Sequence, residues 1–173
     1  GELSLLHLRE IYDADKPEAA AEALRETTEE LGFPLPQVHL NVAAMGSLDE
    51  SIREEDLAWM AREIELSALA GVQIGVLHPV GGMPQTLEEY REVERIRIDS
   101  FTRACEIAHE HDFTIAVENT YDPRGDETSA MGRRRFGAAI AELHSVIDAV
   151  DAPNFGICLD TGHTKVTGLP LGE

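Results

Sequence analysis

Short apolar runs alternate along this chain with longer segments whose apolar residues recur every three to four positions. The runs are LSLLHL (3–8), PQVHLNV (36–42), VQIGVLH (72–78), FTIAVEN (113–119) and NFGICLD (154–160), and each reads as a strand. Between them lie amphipathic helices. One starts near Asp15, with Pro17 in its first turn and Glu18 three residues after Asp15, and ends at Gly32. A second is capped by the pair Ser51 and Glu54, carries Leu57, Ala61, Ile64 and Ala68 on one face, and closes at Gly71. Thr86 and Glu89 cap a third, long helix. A fourth, preceded by the loop TYDPRGDETSAMG, carries Phe136, Ile140, Leu143 and Ile147. Strict strand–helix alternation predicts an α/β fold with a parallel sheet covered by helices. No linker, low-complexity tract or change of composition divides the chain, so a single domain over residues 1–173 is expected.

The strand ends carry the chemistry. The second run contains His39 with Asn41 beyond it, and the third closes on His78 followed by Pro79, Gly81 and Gly82. The fourth closes on Glu118 and Asn119, and the fifth on Asp160 with His163 three residues later. The first carries His7 near its end, with Glu10 following. In parallel sheets the C-terminal strand ends share one face, and that face carries function. Imidazoles and carboxylates gathered there are the ligand types of a divalent-metal site. Each has a plainer explanation when taken alone. A single histidine is usually a hydrogen-bonded rim residue, and Asp160 can cap the following turn. Glu118 resists such an explanation, because a buried carboxylate is costly unless paired or metal-bound. His7 reads as structural, as do His109 and His111 at a helix end, where an imidazolium suits the dipole. The run Arg133, Arg134 and Arg135 reads either as a solvated face or as a helix start that meets a phosphate.

Composition narrows the picture. Acidic residues number 33 against 14 basic ones, a net charge of −19, and only Lys16 and Lys165 are lysines. An acidic, lysine-poor surface suits a cytosol of very high salt, where screening removes self-repulsion, so a halophilic source is expected. The same charge disfavours nucleic acid as a partner, since counterion release needs Lys and Arg. No apolar run is long enough to span a bilayer and no leader pattern opens the chain. The two cysteines, Cys105 and Cys158, lie in apolar settings and read as reduced thiols. A cytoplasmic location without membrane partners is expected, with homo-oligomer formation open.

The segments VHLN (38–41), VLHP (76–79), VENT (117–120) and LDTGH (159–163) resemble, in this order, the xylose isomerase-like TIM barrels. That superfamily holds sugar isomerases, sugar-phosphate epimerases and zinc-dependent apurinic endonucleases. The resemblance implies a parallel (β/α)8 barrel of which this chain supplies about five βα units, truncated at both ends. It implies that Glu118 and Asp160 bind a divalent metal (Mn, Mg or Zn) and that Glu118 also serves as a catalytic acid/base. His163, His78, His39 and Asn119 would contact substrate or further metal. The implied activity is isomerisation or epimerisation of a sugar or sugar phosphate by proton transfer next to a carbonyl. An apurinic endonuclease and a non-catalytic ligand-binding barrel are the alternatives. An intact family barrel supplies a further His and Glu from strands not found here, so an open five-stranded sheet is expected.

Overall fold

A computed structural model of the chain describes residues 1–40, 44–79, 81, 84, 86–122 and 135–168. Among them five strands form one parallel sheet in the order β1-β2-β3-β4-β5. These are β1 (Glu2–Leu3), β2 (Gln37–His39), β3 (Ile74–Leu77), β4 (Thr114–Glu118) and β5 (Phe155–Cys158). The helices are α1 (Leu5–Tyr12), α2 (Pro17–Glu30), α3 (Glu50–Leu69), α4 (Leu87–His109), α5 (Ile140–Val150) and α6 (Thr161–Thr167). None of them is long and apolar enough to cross a membrane.

Side chains alternate across each strand, so each strand divides its residues between two faces. Val38, Leu40, Leu77, Ile115, Val117 and Phe155 join the main core with Leu57, Met60 and Ile64 of α3 and Phe101, Ala104 and Ala108 of α4. Gly75 belongs to this face, and a Cβ there would lie 2.6 Å from both Leu40 and Phe113. The glycine thus lets these two large side chains close over the strand. The opposite face carries His39, Val76, Ala116 and Glu118. The register aligns His39 with Val76, Val76 with Ala116, and Glu118 with Cys158.

Three sequence expectations need correction. The run at 3–8 is not one strand. β1 ends at Leu3, the Ser4 side chain accepts from the His7 amide, and α1 follows. Leu8 and Ile11 are buried while Leu6 is exposed, so the burial has helical spacing. His7 therefore lies on a helix and bonds Ser4 through its ring, 2.9 Å away, rather than standing at a strand end. Helix α2 has Lys16, not Asp15, as N-cap, without a side-chain cap bond; Pro17 supplies the fixed φ that starts it. Helix α3 is capped by Asp49, whose carboxylate accepts from the Ser51 amide at 2.9 Å, so Ser51 lies inside the first turn. Thr86 caps α4 as expected, accepting from the Glu89 amide at 3.1 Å. Asn41, Gly82, Arg133 and Arg134 lie outside the described residues.

Candidate metal centre

Strand parity and register bring the cluster together. His78 follows β3 by one residue, two beyond Val76, and so shares the face of His39 and Glu118. Asp160 stands two residues after Cys158 and caps α6, where its Oδ1 accepts the His163 amide at 2.7 Å. The capping reading of Asp160 is thus met, and the cap turns the chain so that His163 comes back beside Glu118.

Glu118 is the hub and is only 7% exposed. Its Oε2 lies 2.9 Å from His78 Nε2 and 3.4 Å from His39 Nε2, while its Oε1 lies 3.4 Å from His163 Nδ1. The rings of His39 and His78 meet edge-on at 5.0 Å, and those of His78 and His163 at 5.7 Å. Two donor groups share the Glu118 carboxylate: His39, His78 and Glu118, and Glu118, Asp160 and His163. Within each group the ligand atoms lie within 4.8 Å of one another.

Backbone carbonyls orient two of the rings. His39 Nδ1 lies 3.0 Å from the Leu40 carbonyl oxygen, and His163 Nδ1 lies 2.8 Å from that of Asn119. A carbonyl can only accept, so each Nδ1 carries a proton, and the neutral form of each ring has its lone pair on Nε2. Burial pushes the His78 imidazole below its ordinary pKa, against the pull of Glu118 and with help from His39 and His163. The His163 backbone amide holds the Asp160 carboxyl below the usual carboxylate range, with burial acting against it.

A buried carboxylate ringed by imidazoles, with no Lys or Arg nitrogen in ion-pair reach among the described residues, fits a divalent cation by its donor chemistry. An imidazole in its neutral form offers a lone pair but no charge, so a divalent cation would supply the positive charge that a buried carboxylate calls for.

Asn119, expected at the pocket, is fully buried and works as a brace. Its amide nitrogen donates to the Asp160 carbonyl at 3.0 Å and to Thr164 Oγ1 at 3.2 Å, and its Oδ1 accepts the Asp160 amide at 2.6 Å. It therefore locks the end of β4 to the cap of α6. One neighbour, Tyr121, escaped the sequence reading. Tyr121, 41% exposed, sets its ring 5.3 Å from that of His163, and the Arg135 guanidinium lies 5.7 Å over the Tyr121 ring. Arg135 stands before α5 rather than starting it, anchored through its amide to Asp122 Oδ2 at 2.7 Å. The position of Tyr121, just past the VENT segment, was the available signal.

The family described as xylose isomerase-like TIM barrel matches residues 3–170. The chain belongs to this family. Its five parallel strands make a partial barrel, and the pocket described above lies at the C-terminal rim that such barrels use for function. Endonuclease 4 of Thermus thermophilus is 27% identical over 155 residues, covering 90% of this chain and 50% of that protein. This chain thus spans about half the length of that relative. Among solved structures, the IolI protein with a binding zinc atom superposes with a TM-score of 0.75 at 18% identity, covering 98% of this chain and 55% of that one. A D-tagatose 3-epimerase-like protein gives 0.69 at 21% identity, covering 84% and 51%. At such identities these structures bear on the fold alone.

Proposed function

We propose that this chain carries the metal-binding rim of a divalent-metal-dependent isomerase or epimerase acting on a sugar or sugar phosphate. The observation that carries the reading is the Glu118 carboxylate, buried at a barrel rim and faced by three imidazoles. Glu118 and Asp160 would hold the metal. When bound, the cation supplies Lewis acidity toward a substrate carbonyl and eases loss of the proton from the neighbouring carbon. Glu118 also offers an acid/base oxygen, shielded from bulk water by its burial. His163, its Nδ1 proton committed to Asn119, presents Nε2 as an acceptor for a substrate hydroxyl. His39 and His78 supply further nitrogen donors on the same wall. Arg135 over Tyr121 offers a guanidinium at the rim for an anionic end of the substrate. The net charge of −19 suits a small polyhydroxy substrate better than a polyanion.

A second reading is an apurinic endonuclease. The shared use of Glu118 by two donor groups favours it, since His39, His78, Glu118, Asp160 and His163 could hold more than one metal, and paired metals would supply the chemistry of phosphodiester hydrolysis. So does the likeness to endonuclease 4. Metal analysis of the intact protein, with assays on a ketose and ketose-phosphate panel and on abasic-site DNA, separates the two. One exchangeable Mn or Mg ion with sugar turnover supports the first reading. Several zinc ions with DNA incision support the second. A protein that binds no metal and turns over neither substrate would be a ligand-binding barrel.

Glu118→Gln keeps the volume and removes the charge. The expected outcome is loss of metal affinity by about 100-fold or more, loss of turnover, and an unchanged circular dichroism spectrum. Wild-type metal affinity in that variant would exclude Glu118 as a ligand.

A further inference from the structure

Arg97 is a buried guanidinium that the site reading leaves unused. It sits within α4, on the helix side of the sheet, and is 3% exposed. Its surroundings are three segments that each follow a strand of the site. Its Nη2 donates to the Gly81 carbonyl at 3.1 Å, in the segment after β3 and His78. Its guanidinium carbon lies 3.7 Å from the centroid of the Phe136 ring, in the connection between β4 and α5. The same Nη2 would lie 3.1 Å from a Cβ placed on Gly46, in the connection between β2 and α3.

The three segments also close on one another around this side chain. A Cβ on Gly46 would meet the Gly81 carbonyl oxygen at 2.6 Å, and one on Gly81 would meet the Ala44 backbone at 2.8 Å. Gly81 has φ +101°, a conformation that favours glycine. A Cβ on Gly137 would lie 2.6 Å from Pro79. Thr120, two residues past Glu118, takes up the Phe136 and Gly137 carbonyls through its hydroxyl and its amide, both at 3.0 Å. The segments following His39 and His78 therefore meet through their backbones, and those following His78 and Glu118 through the Pro79 ring, with Arg97 bonded or packed against each.

The arginine is held at a cost. Among the described residues its Nε is buried without a hydrogen-bond partner, and the contacts of its guanidinium are a backbone carbonyl and an aromatic ring rather than a carboxylate. Burial lowers its pKa to about 10, against the longer-range pull of Tyr90, Glu142 and Glu94, so it stays cationic at neutral pH. A buried, incompletely satisfied cation is a poor way to fill a core, and an apolar side chain of similar length would fill it better. A flat guanidinium can do what that side chain cannot: stack on Phe136 with one face and donate to Gly81 from its edge.

We propose that Arg97 is a positioning residue for the candidate metal centre. By fastening the three strand-end segments from behind, it sets the spacing of His39, His78 and Glu118. The inference rests on the metal-site reading, and its test separates the two.

Arg97→Met is measured in the intact protein by thermal melting, by Co²⁺ titration, and by the imidazole ¹⁵N resonances of His39 and His78 without metal. The expected result is a melting temperature no lower than wild type, Co²⁺ binding weakened at least about tenfold, and shifted resonances of both rings. Arg97→Lys keeps the charge but loses the stack, and should restore only part of the affinity. Co²⁺ affinity within about twofold of wild type in folded Arg97→Met overturns the proposal. If that variant does not fold, Phe136→Leu, which removes the stack alone, is expected to show the same loss of affinity, and wild-type affinity there overturns it. If the wild-type protein binds no Co²⁺, the metal reading fails, and the resonances then decide: unchanged His39 and His78 signals overturn the positioning role as well.

Discussion

His78 makes the pocket sensitive to acid. Burial holds the folded His78 imidazole below its ordinary pKa, so the unfolded chain takes up this proton first as pH falls. Stability from this group is complete above about pH 6.5, declines as pH drops below that value, and levels off once the folded imidazole also protonates. Over that interval the decline can approach about 1.4 kcal/mol per pH unit for one proton. Urea unfolding at pH 7.5, 6.5 and 5.5 should show it, and His78→Gln should flatten the profile; an equally steep profile in the variant would assign the slope elsewhere. Asp160 acts in the same direction lower down, its contribution being lost as pH falls through its depressed folded pKa. At this scale the gathering of these side chains was legible, because His39, His78, Glu118 and Asp160 stand toward the ends of apolar runs and the ends of parallel strands share one rim. The Asn119 brace was not. It depends on partners 41 and 45 residues away, and nothing in the motif says whether an amide faces the pocket or the chain behind it.

The elements were legible where two signals agreed and misplaced where one signal served two structures. Thr86 and Glu89 flank a long periodic segment, and the cap lies where they place it. Asp49 and Ser51 are both capping residues two positions apart, and only the carboxylate's bond to the Ser51 amide decides between them. Asp49→Ala should therefore cost about 1 kcal/mol in unfolding free energy, more than Ser51→Ala, which loses a side-chain bond but not the cap. Chemical denaturation of the two variants checks the order. The run at 3–8 failed for a different reason. Six residues with four leucines fit a strand as well as a helix, and the spacing from Leu8 to Ile11 that identifies the helix begins only at the end of the run.

Across the whole molecule, 33 acidic residues against 14 basic ones leave a surface that repels itself in dilute buffer. Surface pairs such as Arg103 with Glu54, Arg95 with Glu92 and Arg62 with Glu18 engage only some of the carboxylates and contribute little each. Molar KCl should raise the melting temperature by screening the excess, and an unchanged value between dilute buffer and molar salt would count against a halophilic origin. The strictly sequential strand order has a kinetic consequence. Every pairing joins strands that are neighbours along the chain, so no strand has to wait for a distant partner, and the sheet can grow one βα unit at a time. Opening should run in the same units. Native-state hydrogen exchange should then show the amides of each strand and its following helix losing protection together, with the protection of His39 and Glu118 tracking how far the opening has advanced.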